Sequence, residues 1–283
     1  MNKTFGIIGG DQRQAELARL LAEDGRTVRT YGLGSWRSGG ETTLDRAAAA
    51  DVVILPLPLC REAGYLNCRG ERLPIGEVLD LFRSEQLILG GQIKAEQHRE
   101  AQARGLRLVD YFCREELTVA NAAATAEAAI QTAMEQLDRT LWGTSCLILG
   151  FGRIGRLLAH RLHGLGVDVT VAARSPEAKA WIRAYGYHER DIHDLTGNMD
   201  GYQIVFNTVP SQVMGEHELM QLRGDCLCID LASVPGIDQQ ALDRLSLPYV
   251  WARFLPGRMV PKTAAEIIRD TTYNIVKEWG GAV

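Results

Sequence analysis

The stretch Ser145-Cys146-Leu147-Ile148-Leu149-Gly150-Phe151-Gly152-Arg153-Ile154-Gly155 decides the fold. A bare G-x-G-x-x-G is common by chance, so its surroundings carry the argument. Here a short apolar run, Cys146 to Leu149, reads as a buried strand and feeds directly into the glycines. Gly150 permits the tight turn, Gly152 lets a pyrophosphate approach the backbone, and Gly155 lets the next helix pack on the strand. That helix is predicted over Arg153–Leu165, with Ile154, Leu157, Leu158, Leu162 and Leu165 facing inward. The free N–H groups of its first turn suit phosphate oxygens. Gly150, Gly152, Arg153, Ile154 and Gly155 are therefore expected to bind a nicotinamide dinucleotide; the alternative is a purely structural Gly-rich turn.

The next strand, Val167–Ala172, bears on which dinucleotide. NAD enzymes usually place an acid at this strand's carboxyl end, on the ribose 2′-OH. Asp168 sits at the amino end, and the carboxyl end reads Ala172-Ala173-Arg174-Ser175. A guanidinium and a hydroxyl suit a 2′-phosphate, so NADP is favoured, with NAD possible. Arg174 lying over the adenine is the other reading. Three further segments follow strands: Asn207-Thr208-Val209-Pro210-Ser211, Leu231-Ala232-Ser233-Val234-Pro235-Gly236 and Leu255-Pro256-Gly257-Arg258-Met259-Val260-Pro261-Lys262-Thr263. Each alone is plain turn chemistry, but three at successive strand ends are expected to border the nicotinamide. Asn207, Thr208, Val209, Pro210 and Ser233 are the cofactor contacts expected from them.

Outward from this site the second half continues as alternating strands and helices. Strands are predicted at Gln203–Phe206, Cys226–Leu231 and Pro248–Trp251, and helices at Pro176–Tyr185, Glu216–Leu222 and Asp238–Leu245. The first half alternates likewise, with strands at Thr4–Ile8, Thr27–Tyr31, Asp51–Leu55, Gln86–Leu89 and Leu106–Val109 and a helix at Gln12–Ala22. Its opening, Gly6-Ile7-Ile8-Gly9-Gly10-Asp11-Gln12-Arg13, breaks the fingerprint: counted from Gly9, the later glycine positions are Asp11 and Gln14. Asp11 and Arg13 either meet a substrate carboxylate or cap the helix. Leu57 to Pro74 is a long Pro- and Gly-bearing loop, either a ligand loop or a surface excursion. An Ala-rich helix over Glu115–Trp142 joins the halves, and a last helix, Pro261 to Trp279, is expected to return to the first domain. The fold class is α/β: two Rossmann-like doubly wound parallel-sheet domains flanking an interdomain cleft. Their expected extents are 1–125 with 261–283, and 126–260.

The chain has 283 residues, 46% hydrophobic and 23% charged, which is enough apolar side chain for two cores. The net charge is -4 with no basic block, which argues against nucleic acid. The apolar runs are strand-sized, and Met1-Asn2-Lys3-Thr4-Phe5 enters a strand directly, so neither a membrane span nor a signal peptide is expected. A cytoplasmic location follows. The six cysteines form no C-x-x-C, and Cys226 and Cys228 share one strand face; they read as buried thiols. His160 and His163 lie i, i+3 on a helix without another ligand type nearby, and His188 and His193 fall in a polar connecting segment. No metal is expected.

The Gly-Gly-Asp start, Thr125-Ala126-Glu127, the turn at Gly150, Ala173-Arg174-Ser175, Asn207-Thr208-Val209-Pro210-Ser211, Asp230-Leu231-Ala232-Ser233-x-Pro235-Gly236 and Leu255-Pro256-Gly257-x-x-x-Pro261-Lys262-Thr263-Ala264 occur in this order. As a set they resemble the A-subunit family of dipicolinate synthase from spore-forming bacteria, except around Leu57 to Pro74. The resemblance implies oxidation of a dihydrodipicolinate, or its hydrated precursor, to pyridine-2,6-dicarboxylate with NADP or NAD, in the mother cell. It also implies the flavoprotein-like B subunit of dipicolinate synthase as partner, in a homo- or hetero-oligomer. On that reading Glu127 is the leading general base, or else an exposed helix residue, with Asn207 and Lys262 beside it in catalysis. Asp11, Arg13, Asn121, Thr125, Ser211, Arg258 and Lys262 face the dicarboxylate substrate. The rivals are another two-domain 2-hydroxy-acid or amino-acid dehydrogenase, whose usual cleft His with a carboxylate partner is not evident here, and a non-catalytic member of a complex that holds NADP.

Overall fold

The computed structural model describes residues 3–34, 41–253 and 255–280. Met1 and Asn2, and 281–283 of the expected C-terminal segment, lie outside the described residues. The chain divides into two compact units, Met1–Asn121 with Pro256–Val283, and Ala122–Leu255.

The first unit carries five parallel strands, β1 (Thr4–Ile8), β2 (Thr27–Tyr31), β3 (Val52–Ile54), β4 (Leu87–Gly90) and β5 (Leu108–Asp110), in the order β2-β1-β3-β4-β5. A parallel sheet is covered on both faces, so its central strands are apolar throughout. Alternate residues supply two separate cores. Phe5, Ile7, Val52, Ile54, Leu87 and Leu89 face one side, where Leu17 and Leu21 of α1 (Gln12–Glu23) pack on them. Ile8, Val53 and Ile88 face the other, against Val78 and Leu79 of α3 (Ile75–Asp80). Two more helices, α2 (Leu44–Ala48) and α4 (Ala95–Ala103), complete the crossovers. The last helix of the chain, α11 (Pro261–Glu278), belongs to this unit and lies against α1. Its buried positions Ala264, Ala265, Ile268, Thr271, Thr272, Ile275 and Val276 recur every three or four residues, the period of one helix face.

The second unit has six parallel strands, β6 (Ser145–Leu149), β7 (Asp168–Ala173), β8 (His188–Asp191), β9 (Ile204–Asn207), β10 (Leu227–Asp230) and β11 (Tyr249–Trp251). Their order is β11-β10-β9-β6-β7-β8, so the direction of winding reverses between β6 and β9. That is the doubly wound dinucleotide-binding order, with its ligand crevice at the carboxyl ends of the two strands at the reversal. Crossover helices are α6 (Arg153–Gly164), α7 (Pro176–Ala184), α8 (Glu216–Leu219) and α9 (Gln239–Leu245). Both units are therefore doubly wound parallel-sheet α/β domains.

Four expectations from the sequence change. His188-Glu189-Arg190-Asp191 is strand β8 rather than a connecting segment; it pairs along one edge only, so its side chains stay polar. The joining helix α5 (Glu115–Gln136) stops six residues before Trp142. Leu165 is the C-cap of α6 and is exposed; the buried face consists of Gly155, Leu158, Ala159 and Leu162. Leu255 to Met259 forms a short helix, α10, where a loop was expected. Among the described residues no helix is long and apolar enough to cross a membrane.

Candidate functional site

Strand β6 ends at Leu149, and Gly150 turns the chain with φ +99°, a conformation that favours glycine. A Cβ there would also lie 2.5 Å from Thr208 Oγ1 and 2.8 Å from Val209 Cγ2. A Cβ at Gly155 would collide with the Gly150 carbonyl oxygen, so its absence lets α6 start close under the turn. Gly152 differs from both. It is the N-cap of α6, its side-chain position meets nothing within 4 Å, and no side chain caps the helix. The twelve-residue helix thus starts without a side chain over its N-cap, the arrangement that admits a pyrophosphate. The residues present fit a dinucleotide. Phe151 is buried, and Arg156 donates to its carbonyl oxygen at 3.1 Å while lying over its ring.

The loops after β9 and β10 are fastened to this turn and to each other. Thr208 donates through N and Oγ1 to the Leu149 carbonyl oxygen at 2.9 and 2.8 Å. Asn207 is fully buried. Its Nδ2 donates to the Val209 carbonyl oxygen at 3.0 Å and to Asp230 Oδ1 at 2.9 Å, while its Oδ1 accepts from Val209 N at 3.0 Å. Asp230, also fully buried, accepts from the backbone N–H groups of Ala232 (3.0 Å), Gly236 (2.7 Å) and Ile237 (3.2 Å). Asn207, expected as a cofactor contact and beside the base in catalysis, has its amide hydrogen-bonded within the protein, where it shapes these loops. Asp230 entered the sequence reading only as part of a motif, without a role of its own. The signal was present: a carboxylate ending an apolar strand is tolerated only when fully hydrogen-bonded. Ser211, Pro210 and Ser233 are exposed on these loops.

At the end of β7, Arg174 is exposed and engages no partner among the described residues. Ser175 is the N-cap of α7, its Oγ accepting from Ala178 N at 3.2 Å. The neighbouring acid, Asp191 on β8, is bound by Lys179 at 2.6 Å, and this ammonium holds its carboxyl below the ordinary value. Asp168 lies at the amino end of β7 beside His188, 3.1 Å away. The Cys226 thiol and burial together hold the Cys228 thiol well above its ordinary range, which keeps it unreactive.

Glu127 does not sit at a strand end. Its side chain is 65% exposed and accepts from Arg161 at 3.0 and 3.2 Å. Arg161 lies eight positions beyond Arg153, roughly 12 Å along α6 at 1.5 Å per residue. The carboxylate braces α5 against the far part of α6. Asn121 is half-buried and Thr125 buried, one turn apart on α5.

In the first unit the corresponding turn is closed by the chain itself. Gly10 N donates to the Asn67 carbonyl oxygen at 2.7 Å, and Asp11 caps α1 by accepting from Arg13 N at 3.1 Å. Arg13 is buried. Its Nε and Nη2 donate to the two Asp11 oxygens at 2.9 and 2.8 Å, and Nη2 also donates to the Leu57 carbonyl oxygen. Burial works against the Asp11 charge, but the Arg13 hydrogen bond and charge prevail and hold its carboxyl below the ordinary value. A Cβ at Gly257 would lie 2.9 Å from Arg13 Nε, so α10 passes directly over the guanidinium. Arg258 and Lys262, four residues apart, are exposed and engage no partner among the described residues.

Comparison with known proteins agrees with this division of labour. The family of the N-terminal domain of the dipicolinate synthase A subunit matches residues 4–112. The family described as "D-isomer specific 2-hydroxyacid dehydrogenase, NAD binding domain" matches residues 112–245. The A subunit of dipicolinate synthase from Bacillus subtilis (strain 168) is 28% identical over 284 residues, covering 97% of this chain and 96% of that protein. The crystal structure of the A subunit from Bacillus halodurans superposes with a TM-score of 0.86 at 26% identity, covering 98% of both chains. That of the Bacillus subtilis protein gives 0.86 at 27%, over 98% of this chain and 97% of the other. The second unit is thus a nicotinamide-dinucleotide domain of an oxidoreductase. With both halves matched in order and 97% of the chain covered, the chain is similar along its length to the A subunit of dipicolinate synthase.

Proposed function

We propose that this chain oxidises a dihydrodipicolinate, or its hydrated precursor, to dipicolinate, with NADP as the preferred acceptor. The observation that carries the reading is the open β6–α6 turn at Gly152, in a chain similar along its whole length to the A subunit of dipicolinate synthase. The oxidised nicotinamide, when bound, supplies the two-electron acceptor. The protein's task is then to hold the cofactor and a dicarboxylate and to let one proton leave the ring. Gain of aromaticity drives that loss, so no strong base is required. Arg258 and Lys262, exposed cations four residues apart in the chain, suit the two substrate carboxylates. Arg13 and Asp11 support this region from beneath Gly257. Arg174 takes the 2′-phosphate, because Lys179 already neutralises the nearby Asp191. A flavoprotein-like B subunit is the partner, and the mother cell of a sporulating bacterium the place of action.

The test is to mix the purified chain with NADP and freshly generated dihydrodipicolinate, with and without the B subunit. Reduced cofactor and dipicolinate should appear in equal amounts. Dipicolinate formed by the B subunit alone would leave this chain only a cofactor-holding role; reduced cofactor formed only with a 2-hydroxy acid would replace the substrate.

A further inference from the structure

The buried pair Asn207–Asp230 joins the loops after β9 and β10. Asn207 belongs to the loop after β9 and fixes it internally through Val209 N and O. Asp230 belongs to the loop after β10 and gathers Ala232, Gly236 and Ile237 through their backbone N–H groups. The 2.9 Å bond from Asn207 Nδ2 to Asp230 Oδ1 links the two sets. Interdigitation of the backbones adds to it. A Cβ at Gly236 would collide with Asn207 Nδ2 and lie 2.7 and 2.8 Å from the Val209 and Ser211 carbonyl oxygens. Val213 N and Met214 N both donate to the Gly236 carbonyl oxygen, at 2.8 and 3.1 Å. On the far side Trp251 Nε1 holds the Ala232 carbonyl oxygen at 3.0 Å. From Gly150 through Thr208, Asn207 and Asp230 to Gly236 runs one connected frame, lying where the sheet reverses its winding.

We infer that Asp230 is a positioning residue for the nicotinamide half of the cofactor. In this fold the pyrophosphate lies on the first turn, so the adenosine half extends over β7 and the nicotinamide half over β9 and β10. Asp230's own hydrogen bonds all lie in the loops under the second half. The adenosine half depends on Gly150 to Gly155 and Arg174, none of which Asp230 touches. A group that merely stabilised the domain would affect both halves alike.

This inference rests on the dinucleotide reading of the second unit but not on the identity of the oxidised substrate. The experiment therefore uses cofactor binding without any dicarboxylate. Calorimetric affinities are measured for NADP against 2′-phospho-ADP-ribose, and for NAD against ADP-ribose, the second of each pair lacking the nicotinamide. Asp230→Asn keeps the size but turns an amide N–H toward backbone donors, leaving buried groups unsatisfied. It should lower affinity for the dinucleotides about tenfold or more, while the ADP-ribose forms bind within about twofold of wild type. Gly236→Ala, which forces a Cβ against Asn207 Nδ2, should give the same ratio from the opposite loop, and decides the matter if Asp230→Asn does not fold. Equal losses for both members of a pair, or unchanged affinity for the dinucleotides in both variants, would overturn the inference.

Discussion

Each sheet of this protein begins with a glycine turn into a helix, and the two turns are filled differently. In the first unit Gly9 and Gly10 both have positive φ, as Gly150 does in the second. There the likeness ends. The β1–α1 turn receives the Asn67 carbonyl oxygen on Gly10 N, and the Asp11 carboxylate sits on the first turn of α1. The chain has put its own anion where a phosphate would bind. At the β6–α6 turn Gly152 stands in the place of Asp11, and nothing comes near its side-chain position. One fold thus gives a self-capped turn and an open one, and the difference lies in the N-cap side chain together with the Asn67 carbonyl that reaches Gly10.

That comparison is broken most directly by making the second turn like the first. Gly152→Asp places a carboxylate on the N–H groups that a pyrophosphate needs. Dinucleotide affinity should fall about 100-fold or more, the equivalent of losing roughly two charge-assisted hydrogen bonds. Stability should change by only a few tenths of a kcal/mol, since aspartate and glycine are both tolerated N-caps. Titration of NADP and NAD, with thermal unfolding alongside, separates the two effects. Undiminished affinity would mean that the cofactor does not use this turn.

Sequence reasoning read the open turn more easily than the closed one, for a physical reason. Gly150, Gly152 and Gly155 act through what they lack, and the strand before them and the helix after them are local, so the pattern is visible along the chain. The plug in the first unit is not local: Asn67 reaches Gly10 from a loop 57 residues downstream, a pairing no periodicity announces. The two sheets and the face of α11 followed from alternation and helical spacing. Strand β8 escaped because an edge strand exposed to water carries His-Glu-Arg-Asp without an apolar signal. The role of Asp230 escaped because its partners are backbone N–H groups, which every residue but proline supplies.

A sharper question is whether the open turn prefers NADP. Arg174 is unpartnered at the end of β7 among the described residues, while the adjacent acid, Asp191, is neutralised by Lys179. Arg174→Ala should weaken NADP binding by roughly 1.5–3 kcal/mol and NAD binding much less. Equal losses would put the guanidinium over the adenine instead. The first unit offers the matching test of its own anion. Asp11→Asn removes the charge facing the buried Arg13 and should destabilise the protein by about 1–3 kcal/mol near neutral pH. The folded-state carboxyl is held below its ordinary 3.8, so its contribution is fully present above that value. As pH falls through the folded-state value the carboxylate takes up a proton and the contribution is lost. Denaturation curves of wild type and Asp11→Asn should therefore begin to approach each other as pH falls below 3.8 and meet only below the folded-state value. A gap that persists there would point to the hydrogen bonds of the cap, not its charge.

The smallest effect is expected at Glu127, where the comparison between a site residue and a brace is most easily settled. Its carboxylate faces solvent and pairs with Arg161, well beyond the first turn of α6. Exposed ion pairs of this kind contribute about 0–1 kcal/mol, because water screens both charges and two long side chains must be held in place. Glu127→Gln keeps the shape and a hydrogen-bonding oxygen, so unfolding free energy should change by less than about 0.5 kcal/mol. Cofactor affinity and turnover should stay within about twofold of wild type. A general base gives a different result: removal of one lowers turnover by ~10²–10⁴-fold with affinity intact. Measuring turnover across pH in both proteins distinguishes the cases, since a base also contributes an ionisation to the profile and a brace does not. A large loss with a shifted profile would restore Glu127 to the reaction. Unchanged rates would leave the proton's departure to solvent and the driving force of the aromatic ring.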